Sequence, residues 1–384
     1  MSDLPTIDYI SVGRYPTTRA YAFQMREMLA AFLEQGVKIE LITDTRTEPL
    51  PPEDVAYFSL PNLRHHRLPV LNLAPWGVMR PIVDRLAAVI IMITWAIMLT
   101  GFLLFRSRRR LIYTRDAVSA GVAVIFGFKT FYEVHHLSEK IGSIRKFFLK
   151  HCCGLVTISE ALARRVRDLG CDTKRVLVAP DAVDTIIFHP LNQKEARATL
   201  GLPDEQFLIV YTGHFYKWKG VYTLAEAGKF LPDSGILLVG GEKEDREPLN
   251  EFLQEQKITN VTLRGHEAHN RMPLYLAAAD VLVLPNSAQE TIGRESTSPL
   301  KLFEYATCQR PIVASDVSAL REILNDETAE FFTADDAASL AAAVQKIKHD
   351  PARGREIAEK ALTLSVDFSW KARARRILDF LDQK

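Results

Sequence analysis

Several kinds of chemistry are missing from this chain. Its four cysteines, Cys152, Cys153, Cys171 and Cys308, form no C-x-x-C pair and have no histidine at metal-ligand spacing. That excludes a disulfide scaffold and a structural zinc site, and it fits a reducing compartment. An excess of one charge is lacking too: 48 Lys and Arg against 47 Asp and Glu leave a formal net charge of +1. Nucleic acid bound by bulk charge is therefore not an expected partner. No G-x-G-x-x-G follows a strand-like run and no P-loop pattern occurs, so both common phosphate-binding glycine fingerprints are absent. The opening MSDLPTIDYI lacks the basic-then-apolar order of a secretory leader, and a cytoplasmic location is the expectation.

What is present is ample core material. Of 384 residues, 47% are hydrophobic and 25% charged, which predicts ordered structure in about two domains of ordinary size. In the first half, Thr6 to Val12, Val37 to Thr43, Leu111 to Thr114, Phe131 to His135 and Gly154 to Ile158 read as strands, separated by helical runs. Asp44 to Arg80, rich in Pro, Arg and His, reads as loop with short strands. The second half repeats the alternation, with strands at Phe207 to Tyr211, Gly235 to Val239, Val261 to Arg264, Val281 to Pro285 and Pro311 to Ala314. Two doubly wound α/β domains are the predicted fold class, residues 1–187 and 188–366, facing across a cleft. A last helix, within 367–384, is expected to return to the first domain.

One segment departs from this pattern. Leu86 to Phe105 (LAAVIIMITWAIMLTGFLLF) carries no charge, and Arg106, Arg108, Arg109 and Arg110 follow it. As a helix it has the length of a bilayer's hydrocarbon core, about 30 Å. A single crossing would nevertheless put strands of one parallel sheet on opposite sides of the membrane. Three readings stay open: a helix lying in the membrane surface, a helix buried between layers, and a re-entrant or true span. The arginines favour the first through anionic headgroups, placing residues 86–110 at a cytoplasmic membrane face.

Candidate chemistry concentrates in the second half. The strand FLIVYTG ends at Gly213, and HFYKWKG follows with His214, Lys217 and Lys219. A lysine there is suited to neutralise a diphosphate, although a solvated lysine pair on a loop has the same sequence. SPLKLFEY offers Ser298 as N-cap, Pro299 at the first helical position, then Leu300, Lys301 and Glu304. Its first-turn amides with Lys301 read as an anion site, and Glu304 as an acceptor for a sugar diol.

With these stretches in view, the sequence resembles the retaining GT-B glycosyltransferases of family 4, the group 1 transferases. VTISEALARRV, VAPDAVDTIIFHP, YTGHFYKWKGVYTL, ADVLVLPN, SPLKLFEYATCQRPIVAS and the closing FSW carry the resemblance, with IYTRD and YEVHHL in the first half. It implies a sugar transferase using a UDP- or GDP-linked donor, with no metal or other cofactor. By the same resemblance Lys219 contacts donor phosphate, His214 stands where an arginine is usual, Glu304 binds the ribose, and Ser298 to Lys301 hold the diphosphate. Gly213, Arg264 and Gly265 line the donor site, and His135 approaches the transferred sugar. Arg14, Tyr15, Arg19 and Tyr21, just past Gly13, are expected to face the acceptor, which the apolar helix suggests is lipid-linked. Two departures stand out: Ser296, beside Glu295, occupies the place of the family's first acidic residue, and Ala182 that of a turn glycine. A nucleotide-sugar epimerase of the same fold and a non-catalytic donor-binding scaffold are the alternatives.

Overall fold

The computed structural model describes residues 6–17, 19–50, 52–72, 81–138, 140–294 and 300–383. It resolves into two compact units, one of Met1–Pro180 with Trp370–Lys384 and one of Asp181–Ser369. The first is built on β1 (Ile7–Ser11), β2 (Ile39–Asp44), β3 (Arg64–Leu68), β4 (Leu111–Thr114), β5 (Lys129–Val134), β6 (Gly154–Thr157) and β7 (Val176–Val178). These strands lie in the order β3-β2-β1-β4-β5-β6-β7, every pairing parallel. The central strands are buried on both faces, which is why they read as short apolar runs. At the edge, β3 (RHHRL) is mostly solvated; its basic side chains suit an unpaired edge and gave it no apolar signature.

The second unit carries β8 (Phe207–Thr212), β9 (Ser234–Val239), β10 (Val261–Arg264), β11 (Val281–Leu284), β12 (Ile312–Ser315) and β13 (Glu330–Phe332). Their order is β10-β9-β8-β11-β12-β13, again all parallel. Each sheet reverses its strand order once, between β1 and β4 and between β8 and β11. In doubly wound sheets a ligand crevice opens at such a point, beyond the carboxyl ends of the strands.

The unit boundary falls at Pro180/Asp181, earlier than the division at 187/188 read from the sequence. The reason is local: the Val183 N–H donates to Phe368 O at 2.9 Å, and Val183 and Ser369 form a parallel bridge, tying this segment into the second unit. Helix Trp370–Asp382 packs on helix Ala20–Glu34 and completes the first unit. Its Arg373, fully buried, donates to Glu133 Oε1 at 2.7 Å and to Pro180 O at 2.8 Å. Phe380 meets Phe131 edge-on at 5.9 Å, in space that Gly154 leaves open; a Cβ there would come within 2.6 Å of Phe380.

The apolar run forms helix Pro81–Leu104. One face, with Ile91, Trp95, Leu99 and Leu103, is buried in the core, and Trp95 Nε1 donates to Ser119 Oγ at 2.9 Å. The other face is exposed: Leu86 (61%), Val89 (54%), Ile93 (55%) and Ile97 (63%). A wholly buried helix is thereby overturned, and a helix docked along one whole side is not surrounded by lipid. The basic flank is also smaller than its sequence implies. Arg106 and Arg110 turn inward to Glu40 and Asp8, with Arg106 Nη2 at 2.8 Å and Arg110 Nη2 at 3.1 Å from Glu40. Arg108 lies over the Phe128 ring at 4.2 Å.

Candidate active site

In the second unit the site is assembled where the strand order reverses. At Gly220 the backbone is left-handed (φ 72°), and a Cβ would overlap Pro285 O. Only glycine lets the KWKG loop settle against the end of β11, and the Ser287 N–H donates to Trp218 O at 3.0 Å to hold it there. Helix Leu300–Thr307 is fastened to β8 by Tyr305, whose buried Oη accepts the Thr212 N–H at 2.8 Å. Tyr211 links both parts: its Oη donates to His214 O at 2.7 Å, and its ring lies under the Lys301 ammonium.

These ties bring Lys219 and Lys301 within electrostatic reach of His214, and Lys219 and Glu304 within reach of Lys301. Lys301 is buried, and among the described residues its Nζ has no hydrogen-bond partner. Burial, then the Lys219 charge, push its pKa well below the usual lysine value. Lys219, its Nζ 3.9 Å over the Trp218 ring, is lowered by burial to about 8. Burial lowers His214 too, assisted by Lys219, while burial raises Glu304 to about 7 against the pull of Lys301. Glu242 and Asp245 act on this site from the His214 side, and two ammonium groups share it with Glu304. Such groups are costly to bury unless an anion joins them.

Gly213 stands at the end of β8, exposed on the same rim. Arg264 and Gly265 lie at the end of edge strand β10, two strands away from β8; both carbonyls accept the Gly240 N–H at 3.1 Å, and Gly240 packs so close to Gly213 that a Cβ on it would come within 2.5 Å of Gly213 O. Ser298 and Pro299, with Glu295 and Ser296, lie outside the described residues; Leu300 begins the described helix. A residue the sequence did not single out is Asn286, just past β11. Its side chain is fully buried, and neither amide atom is hydrogen-bonded among the described residues. The one available signal was its place directly after the apolar run of ADVLVLPN.

The first unit has its own cavity at the equivalent point, about 430 Å3, lined by residues that include Gly13, Arg14, Arg19, Tyr21, Arg46, Arg115, Asp116 and His135. Asp44, ending β2, accepts the Gly13 N–H at 2.8 Å; Asp116, past β4, accepts the Val12 N–H at 3.1 Å and caps helix Ala117–Ile125 through Ser119. Burial raises the Asp116 pKa, against those hydrogen bonds. His135 Nε2 is 2.9 Å from Glu133 Oε1, and Tyr113 Oη donates to Glu133 Oε2 at 2.5 Å. Burial alone would raise Glu133, but Arg373, His135 and Arg115 hold it well below the carboxylate range. Of the expected acceptor contacts, Arg14 and Arg19 line this cavity. Tyr15 is a correction: it is 4% exposed and packs edge-on against Phe58 and His65, because the turn sends it into the core. Tyr21, expected in the same group, does line the cavity.

Two Rossmann-like units with their sites at the strand reversals define the GT-B class of fold. A sucrose-phosphate synthase of Thermosynechococcus elongatus superposes with a TM-score of 0.80 at 22% identity, over 99% of this chain and 98% of that one. The HepE protein of Anabaena, solved with UDP-glucose, gives 0.76 at 16% identity over 98% and 100%. The model described as Glycosyltransferase Family 4 matches residues 22–186, and that described as Glycosyl transferases group 1 matches residues 206–350. The chain belongs to this family, the group 1 GT-B glycosyltransferases. Among curated relatives, an alpha-galactosylglucosyldiacylglycerol synthase of Streptococcus pneumoniae is 24% identical over 60% of this chain. A D-inositol 3-phosphate glycosyltransferase of Thermomonospora curvata is 28% identical over 59%. The chain spans 61% and 56% of the length of these two relatives.

Proposed function

We propose that this protein is a retaining glycosyltransferase that moves a sugar from a nucleoside-diphosphate donor to an acceptor at a membrane surface. The observation that carries the reading is the buried Lys301 ammonium, without a hydrogen-bond partner among the described residues and within electrostatic reach of Lys219. As the bond to the sugar breaks, negative charge develops on the leaving diphosphate, and two desolvated cations stabilise it more in that state than in the ground state. Glu304, on the same helix as Lys301, accepts the ribose hydroxyls. The charge of the leaving group falls to these lysines, and no metal is assigned. Retention without a protein nucleophile implies attack from the face the diphosphate leaves, with a phosphate oxygen taking the acceptor proton. His135, held by Glu133, is assigned to the transferred sugar.

The membrane assignment is supported by the apolar row Leu86, Val89, Ile93 and Ile97. Helix Ala117–Ile125 contacts this helix on one side and helix Ser143–His151 on the other. The latter exposes Ile144 (74%) and Phe147 (51%) among Arg145, Lys146 and Lys150. An apolar row continued by a basic, half-apolar helix is the composition of an interfacial surface for anionic lipid. The testing experiment is donor turnover by wild type and Lys219→Ala with a lipid-extract acceptor. A loss of roughly tenfold or more in rate is expected for the variant; equal rates, or a wild type that binds nucleotide sugar without turnover, overturn the reading.

A further inference from the structure

The second unit holds another cavity, of about 480 Å3, lined by the KWKG loop, by Tyr222 and by the first turns of helix Lys243–Glu255. Its aromatic lining is Phe215, Tyr216, Trp218 and Tyr222. Phe215 is buried, whereas Tyr216 is 44% exposed, which leaves a large ring within reach of a ligand. The Tyr216 and Trp218 rings lie within 25° of parallel with centroids 6.4 Å apart, and Tyr216 lies within 10° of the His214 ring. Rings of like orientation suit a flat-faced ligand rather than enclosing a rounded one. The charged lining has both signs, Lys217 with Glu244 and Asp245. Among the described residues neither carboxylate has an ion-pair partner; Lys243, beside them in the helix, pairs with Glu247 at 3.5 Å. The helix dipole favours acids in this first turn, but it does not account for the aromatic surface next to them. Trp218 is shared with the donor cluster, since the Lys219 Nζ stands over its ring at 3.9 Å.

We infer that this cavity is a second carbohydrate site, which holds a sugar ring on Tyr216 and Trp218 apart from the place of transfer. An anion would meet the charges of Glu244 and Asp245. A cation would meet Lys217, and at the Trp218 ring it would find Lys219 already in place. A neutral ring bearing hydroxyl groups meets neither penalty. Its C–H face, slightly positive, lies against the negative face of an aromatic ring. Carboxylates only accept hydrogen bonds and an ammonium only donates them, so hydroxyl groups, which do both, match this lining. The volume is in the range of small-molecule sites. The site stands on its own lining and does not rest on the transferase reading.

The test is calorimetric titration of the full chain with glucose, galactose and maltose, each with and without saturating UDP. Tetramethylammonium and adenosine serve as the cationic and the flat heterocyclic counter-probes. Tyr216→Ala and Glu244→Gln, both at exposed positions, are measured alongside, with their melting temperatures checked against wild type. At least one saccharide is expected to bind saturably whether or not UDP is present. Its affinity should weaken about three- to tenfold in each variant, the scale of one aromatic contact or one hydrogen bond. The inference is overturned if none of the three saccharides binds saturably, if UDP displaces the sugar, or if either variant binds as wild type does. Tighter binding of tetramethylammonium or adenosine than of any saccharide also overturns it. A wild type that binds a saccharide through Tyr216 and Glu244 but ignores UDP would support this site and remove the transferase reading instead.

Discussion

The Nζ of Lys301 sits 3.7 Å from the centroid of the Tyr211 ring, a cation over an aromatic face in a buried setting. The ring compensates part of the lost hydration but supplies no negative charge. Replacing the ammonium by an apolar side chain of similar length relieves that cost. Lys301→Met is expected to raise the melting temperature of the ligand-free protein by a few degrees, about 2–4 °C per kcal/mol gained. The same variant loses UDP binding by calorimetry. A variant less stable than wild type that still binds UDP would contradict the assignment.

Nucleotide affinity should depend on pH through Lys219. Its pKa is held at about 8 by burial. Below that pH the side chain is cationic and attracts a diphosphate; above it the charge and the attraction are lost. A bound diphosphate favours the charged form, so binding takes up a proton near pH 8. UDP affinity is expected to fall about tenfold from pH 7 to pH 9, and Lys219→Arg, which keeps its charge throughout, should flatten this component of the profile.

Arg373 and Glu133 are both fully buried. Removing this guanidinium leaves the buried carboxylate with only His135, Tyr113 and the more distant Arg115 charge to hold it, so Arg373→Ala should destabilise the first unit by about 3 kcal/mol. Denaturant unfolding checks this, and the double change Arg373→Ala with Glu133→Gln should recover part of the loss.

The exposed row of helix Pro81–Leu104 separates lipid contact from folding. Ile93→Glu with Ile97→Glu alters solvated positions and should leave the melting temperature within a few degrees while reducing sedimentation with anionic vesicles. Leu99→Ala, on the buried face, should instead cost about 2–5 kcal/mol of stability.

Much of this architecture was legible because a parallel sheet covered on both faces leaves short apolar runs between turn residues. Leu111 to Thr114 and Val261 to Arg264 match their strands end to end for that reason. β3 was legible only as an unplaced short strand within Asp44 to Arg80, since an edge strand reading RHHRL has no apolar alternation to fix its bounds. The lysines and Glu304 could be named because turn and helix chemistry fixes their spacing locally. Arg46 and Arg115 could not, because their meeting depends on β2 and β4 flanking β1. Tyr15 misled for the opposite reason: proximity to Gly13 in sequence says nothing about which way a turn sends the next side chain.

The final helix has a consequence for biosynthesis. Glu133 gains its cation from a residue 240 positions later, so a ribosome releasing this chain exposes the whole second unit before the first can close its interior. The usual amino-to-carboxyl order of domain maturation is thus inverted. A polypeptide truncated just short of Trp370 would hold a finished carboxyl-proximal lobe behind an unfinished amino-proximal one.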